Sequence, residues 1–232
     1  MAEKIVLITG ATGNLGKATA AAFEAEGARL VLIGSRPESL ERAYPDIAPH
    51  HLKLAADLTD AEAAAGAVAE AERVCGRIDA VCAIAGAFDM GGAVYEAPPE
   101  LAERMMRLNV ATMVNVVRAA VPGMIARKSG KIVTIGSTAA LKGAAGMGAY
   151  TASKSAVMRL TESMAAELRG HGINVNCVLP SVIDTPENRA AMPKADFSKW
   201  VKPAELAAVI AFLCSDGASA MHGALVPVVG LV

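Results

Sequence analysis

The chain has 232 residues, 53% of them hydrophobic and only 3% aromatic, with a formal net charge of −1. A single domain of this size buries about 70–75% of its unfolded surface, so it needs no disulfide or metal staple. The near-neutral charge supplies no basic field for a nucleic-acid backbone, and the aliphatic bias favours helices packed on a parallel sheet.

The opening Met1-Ala2-Glu3-Lys4, followed by Ile5-Val6-Leu7-Ile8, lacks the length and cleavage pattern of a secretory signal. No apolar run is read as reaching the ~20 residues that span a bilayer, so no membrane partner is expected. Cys75, Cys82, Cys177 and Cys214 show no metal-ligand spacing and read as reduced core thiols of a cytoplasmic protein. His50, His51, His171 and His222 sit near Pro or Gly and read as surface or turn histidines.

Strand-like apolar runs occur at 4–9, 29–33, 52–55, 80–85, 131–135, 173–179 and 225–229. Helical patterns at 14–26, 60–74, 100–121, 150–169 and 203–214 separate them. Several strands are continuously apolar, as strands buried on both faces are. Asp60 is a plausible N-cap, Pro203 suits a first turn, and Pro122-Gly123 should bend or end the third helix. Regular alternation predicts one α/β domain over 1–232: a Rossmann-type, doubly wound parallel sheet with right-handed crossovers. The segment 181–201 lacks clear periodicity and is a candidate substrate loop or lid.

The first strand runs into Thr9-Gly10-Ala11-Thr12-Gly13-Asn14-Leu15-Gly16, and a helix follows at once. Glycine lets the backbone approach a pyrophosphate, and the exposed N–H groups of the helix start face the anion. The second strand ends at Ile33-Gly34-Ser35-Arg36 with no acid to hold ribose hydroxyls. Arg36 with Ser35 could instead hold a 2′-phosphate, which favours NADP(H) over NAD(H); the alternative is a solvated arginine. Asp57 could accept from an adenine amino group or cap the turn before the next helix.

Tyr150 and Lys154 stand four positions apart, which on a helix places them on one face. A tyrosine with a pKa near ~10 becomes a better proton donor or acceptor where a cation favours its phenolate.

With Ser137, the Asn109 of Arg107-Leu108-Asn109-Val110, and Pro180-Ser181-Val182-Ile183-Asp184-Thr185, these motifs make the chain resemble the short-chain dehydrogenase/reductases along essentially its whole length. The resemblance implies a catalytic tetrad of Asn109, Ser137, Tyr150 and Lys154. Tyr150 would be the general acid, Lys154 would lower its pKa and bind ribose, Ser137 would hold the substrate oxygen, and Asn109 would hold a water in a proton relay. Cofactor contacts fall on Gly10, Thr12, Gly13, Asn14, Leu15, Gly16, Ser35, Arg36, Asp57, Leu58, Ala85, Gly86, Tyr150, Lys154, Pro180, Ile183 and Thr185. A homodimer or homotetramer built on the long helices is also implied.

Three departures stand out. Asn14 replaces a usual glycine, Ala83-Ile84-Ala85-Gly86 replaces Asn-Asn-Ala-Gly, and Pro180-Ser181 replaces Pro-Gly. The stretch from Asp184 to Trp200 resembles the corresponding loop of dihydropteridine reductases. Phe88, Met90, Met147, Met192, Phe197 and Trp200 form the expected substrate wall for a small carbonyl or alcohol, although Phe197 and Trp200 could equally anchor the loop. A quinonoid dihydropteridine reductase and a non-catalytic dinucleotide sensor are the two competing readings.

Overall fold

The computed structural model describes residues 3–231. Strands β1 (Ile5–Thr9), β2 (Arg29–Gly34), β3 (Leu52–Ala55), β4 (Ala80–Ala83), β5 (Gly130–Ile135), β6 (Ile173–Pro180) and β7 (Leu225–Val228) form one sheet. Its order is β3-β2-β1-β4-β5-β6-β7, and every pairing is parallel.

Successive strand residues point to opposite faces, so each apolar run feeds two cores. Ile5 and Leu7 of β1 face the core under α3 (Ala61–Cys75), α5 (Thr112–Arg127) and α6 (Gly148–Leu168). Val6 and Ile8 face the core under α1 (Asn14–Ala25), α2 (Pro37–Ala43) and α8 (Pro203–Leu213). Helices thus cover both faces, which is why the strands lack polar alternation. A fully buried Leu or Ile contributes about 1.5–3 kcal/mol, and Leu7, Ile8, Leu30, Leu32 and Ile33 make β1 and β2 the densest such region.

Two helices carried no periodic signal. The helix α2 buries only Leu40, and α7 (Pro186–Ala191), inside the 181–201 loop, buries nothing fully. A helix with so little in the core leaves no apolar stripe in the sequence. Strand β4 ends at Ala83, short of the expected 85.

Helix α4 (Pro99–Met106), a π-helical turn at Arg107–Ala111, and α5 run on as one helix, Pro99–Arg127. Pro122 does not end it. The proline removes one amide donor, but Ala120 and Met124 on either side are fully buried and hold the turn in place. The helix also corrects the expectation about apolar length, since an 18-residue window within its 29 residues has a mean hydropathy of 1.4. It packs against α3, α6 and the sheet, and that packing accounts for its apolar face.

His51 lies in a turn, one of its two readings, but it is buried rather than at the surface. Its Nδ1 accepts from the Leu30 N–H at 3.0 Å, and its Nε2 lies 3.5 Å from the Glu24 carboxylate. Burial, then neighbouring His50, lowers its pKa, while Glu24 pulls the other way. A folded-state pKa below the unfolded value means that its contribution is complete above the unfolded pKa and is lost as pH falls. The melting temperature should therefore drop between about pH 7.5 and pH 5.5. His51→Asn, which can still accept from Leu30 but does not titrate there, should flatten that slope in a thermal-denaturation series.

Candidate active site

The sheet order reverses between β1 and β4, and ligands of such sheets sit beyond the carboxyl ends of the strands at that point. The Gly10–Gly16 turn lies there. Gly10 has φ +60°, and a Cβ on it would stand 2.9 Å from the Ala85 backbone. On Gly16 a Cβ would come within 2.2 Å of the Gly10 carbonyl oxygen. The chain is thus folded on itself too closely for any side chain at either position.

Three contacts brace this turn, none of them expected from sequence. The Ala11 N–H donates to the Ile33 carbonyl at 3.1 Å, and the Tyr44 hydroxyl donates to the Ala11 carbonyl at 2.6 Å. Burial raises the Tyr44 pKa, so it remains a donor. The Thr9 hydroxyl accepts from the Ala85 N–H at 3.0 Å and joins the ends of β1 and β4.

The first backbone bond into α1 is Lys17 N–H to the Gly13 carbonyl, 2.9 Å, and no side chain caps the helix. The amides of Asn14, Leu15 and Gly16 precede that bond and carry the positive end of the helix dipole. An uncapped, glycine-lined helix start at the switch point fits a dinucleotide pyrophosphate. Asn14, the departure from the usual glycine, donates from Nδ2 to Glu187 Oε2 at 2.9 Å and so ties α7 to this turn. The Glu187 carboxyl is held below its ordinary range by its own backbone amide first, then by Thr185, with Asn14 and Lys17 adding to the effect.

Ser35 and Arg36 are exposed at the end of β2, and Thr12 lies beside Gly34. Asp57 accepts from the Thr59 N–H and hydroxyl at 2.9 and 2.8 Å, which lowers its pKa. Of its two readings, the turn cap is the one displayed. Leu58 is buried, and its carbonyl accepts from Asn115 at 3.0 Å. The Pro180 carbonyl accepts from the Thr138 hydroxyl, and Thr185 caps α7 by accepting from the Asn188 N–H, both at 3.2 Å. Ile183 pairs with Val201 in an isolated bridge that closes the base of the loop.

Ser137 leaves the end of β5, while Tyr150 and Lys154 lie on the first turns of α6. Burial pushes the Tyr150 phenol up, and the Ser137 hydroxyl draws it down. Lys154 is buried, donates to the Ile135 carbonyl at 2.9 Å, and has its pKa lowered by burial to about 8. Lys154 therefore loses its charge as pH rises through about 8.

Asn109 lies in the π-helical turn and is 2% exposed. Its Oδ1 accepts from the Ala87 N–H at 2.8 Å, and its Nδ2 donates to the Ala87 carbonyl and to Ser153 Oγ at 3.0 and 2.9 Å. Both donors of the amide are thus committed. Asn109 thus fixes the Ala87 backbone, just beyond the segment where the usual asparagines are missing.

Around the mouth, the Phe88 ring meets Tyr150 edge-on, with centroids 4.8 Å apart. Met147 opens α6, half-buried; Met90 and Met192 are exposed. Trp200 is 6% exposed and packs against Phe197, tilted at 54° with centroids 4.8 Å apart, and the Arg189 guanidinium lies 4.9 Å from the Phe197 centroid. Arg189 is also paired twice with Asp184. Of the two roles open to Phe197 and Trp200, anchoring the loop is therefore the one the packing displays.

The sequence profile described as short chain dehydrogenase matches residues 4–196. Galactitol 2-dehydrogenase (L-tagatose-forming) of Cereibacter sphaeroides is 34% identical over 236 residues, covering 96% of this chain and 92% of that protein. The 3-oxoacyl-acyl-carrier-protein reductase of Thermotoga maritima is 30% identical over 242 residues, covering 98% and 96%. A crystal structure of NAD+-bound xylitol dehydrogenase superposes with a TM-score of 0.90 at 29% identity, covering 98% of each chain. With the parallel sheet, the glycine turn and these matches in agreement, the chain belongs to the short-chain dehydrogenase/reductase family.

Proposed function

We propose that this oxidoreductase interconverts a small carbonyl compound and its alcohol, with Tyr150 moving the proton. The observation that carries the reading is the convergence of Ser137, Tyr150 and Lys154 at the ends of β5 and the start of α6. A bound nicotinamide supplies or accepts the hydride.

For reduction, the Tyr150 hydroxyl donates its proton to the carbonyl oxygen, and the Ser137 hydroxyl stabilises the negative charge gathering there. Lys154, with a proton affinity near neutral pH, passes a proton toward the phenolate. Asn109 keeps the backbone beside them in place. The binding contacts are those of the Gly10–Gly16 turn, Ser35, Arg36, Asp57, Leu58, Ala85, Gly86, Pro180, Ile183 and Thr185. Phe88, Met147 and Met192 supply an apolar wall.

NADP(H) is the preferred dinucleotide, because Ser35 and the exposed Arg36 end β2 without a carboxylate. Loss of a charge-assisted hydrogen bond costs ~1.5–3 kcal/mol, so Arg36→Ala should weaken NADPH binding by about tenfold or more and leave NADH nearly unchanged. Fluorescence titration checks this; wild-type protein that binds NADH as tightly as NADPH rejects the preference. Oxidation of the preferred cofactor across a panel of ketones, polyol-derived ketoses and a quinonoid pterin then identifies the substrate class. Met106 and Val114, exposed on α4 and α5, support a homodimer or homotetramer, and a cytoplasmic location belongs to the same reading.

A further inference from the structure

The contacts of Asn109 close into a ring that begins and ends at the same residue. The Ser153 hydroxyl donates to the Tyr150 carbonyl at 2.8 Å and accepts from Asn109 Nδ2 at 2.9 Å. Asn109 grips both polar groups of Ala87, at 2.8 and 3.0 Å. The next residue, Phe88, returns to Tyr150 through its ring, edge-on at 76°. We propose that Ser153, Asn109 and Ala87 form a closed brace whose purpose is to seat Phe88 against Tyr150, making Phe88 the residue that screens the phenol from water and shapes the adjoining substrate wall. This rests on the assignment of Tyr150 as the proton-transfer residue.

Phe88 is held from its far side as well. Asp89 pairs with Arg104 of α4, and the Gly91 N–H donates to the Gly146 carbonyl at 2.9 Å. A ring 56% exposed on a loop would ordinarily be free to turn; here both flanking residues are fixed, so its edge stays on the phenol. An exposed aromatic has no folding reason to be held this way, since burying it further would contribute more. Ser153, with no accessible surface, contacts neither substrate nor cofactor and is a positioning residue. The charged and polar groups around Tyr150 are few: Ser137 from the end of β5, Lys154 on its own helix but turned to Ile135, and the Asp89–Arg104 pair behind Phe88.

The test reads the phenol directly, without cofactor. Tyrosinate absorbance is titrated in the wild type, Phe88→Ala, Phe88→Leu and Ser153→Ala, with the Tyr150→Phe titration subtracted to isolate one tyrosine of the three. Circular dichroism at each pH confirms that the fold is intact. Burial raises the Tyr150 pKa, so Phe88→Ala should move its titration down toward the ordinary value. Ser153→Ala, which leaves Phe88 in the chain but unbraced, should move it the same way by less. Leucine, which still covers the phenol, should restore part of the shift. The specificity arm compares KM for an aromatic and an aliphatic ketone, and Phe88→Ala should raise the first severalfold while changing the second little. Unchanged phenol titrations in both Phe88→Ala and Ser153→Ala overturn the brace. Loss of the assigned role of Tyr150 would show separately, as a Tyr150→Phe enzyme that still turns over.

Discussion

Tyr150→Phe should lower turnover by roughly a hundred- to ten-thousand-fold, the range that general acid–base catalysis supplies. The change deletes one oxygen and nothing else. The ring keeps its edge contact with Phe88, and α6 keeps its packing, so dinucleotide binding and melting temperature should stay close to wild type. The effect should fall on kcat and kcat/KM together, because the proton is delivered in the transition state. Steady-state kinetics beside a cofactor titration separates the two. Full turnover in the variant would remove Tyr150 from the reaction.

Gly16→Ala should be nearly as damaging by a different route. The added Cβ would meet the Gly10 carbonyl oxygen at 2.2 Å and the Ala11 backbone at 2.8 Å, all of it main chain that cannot swing aside as a side chain would. The start of α1 must therefore lift away from β1. Inserting one carbon into a packed site costs about 1–3 kcal/mol, which should appear as a lower melting temperature. Displacing the helix amides from the phosphate position should weaken dinucleotide binding by more than about tenfold, equivalent to ~1.4 kcal/mol. Both are measured on the same sample, by thermal shift and by titration. A variant that melts lower yet binds the dinucleotide normally would show that the α1 terminus does not hold the phosphates.

Much of this was legible in the sequence because it is local. Continuous apolar runs mark strands buried on both faces, and the regular alternation with helices leaves few ways to arrange them. The glycine turn is legible for the same reason, since tight approach needs glycine whatever surrounds it. The short helices α2 and α7 were not, because neither buries enough to pattern its residues. Pro122 does not end its helix: the local penalty is real, but the packing around Ala120 and Met124 outweighs it.

At the site, Ser137, Tyr150 and Lys154 could be picked out from spacing and resemblance, whereas what each group touches could not. Sequence places Tyr150 and Lys154 on one helical face; only the fold directs the ammonium to the Ile135 carbonyl and brings Ser137 to the phenol. Sequence shows that Ala83-Ile84 stands where the family has two asparagines; only the fold shows Thr9 holding Ala85 and Asn109 holding Ala87 just beyond them. Sequence left Trp200 open between the substrate wall and a loop anchor; only the fold shows it buried against Phe197. The sequence alone determined most of the strand and helix pattern and the glycine turn, because these depend on neighbours within a few residues; the candidate reactive side chains came from the resemblance. The tertiary structure decided which groups share a hydrogen bond, which are cut off from water, and how Phe88 comes to lie on Tyr150, because burial and contact join residues far apart along the chain.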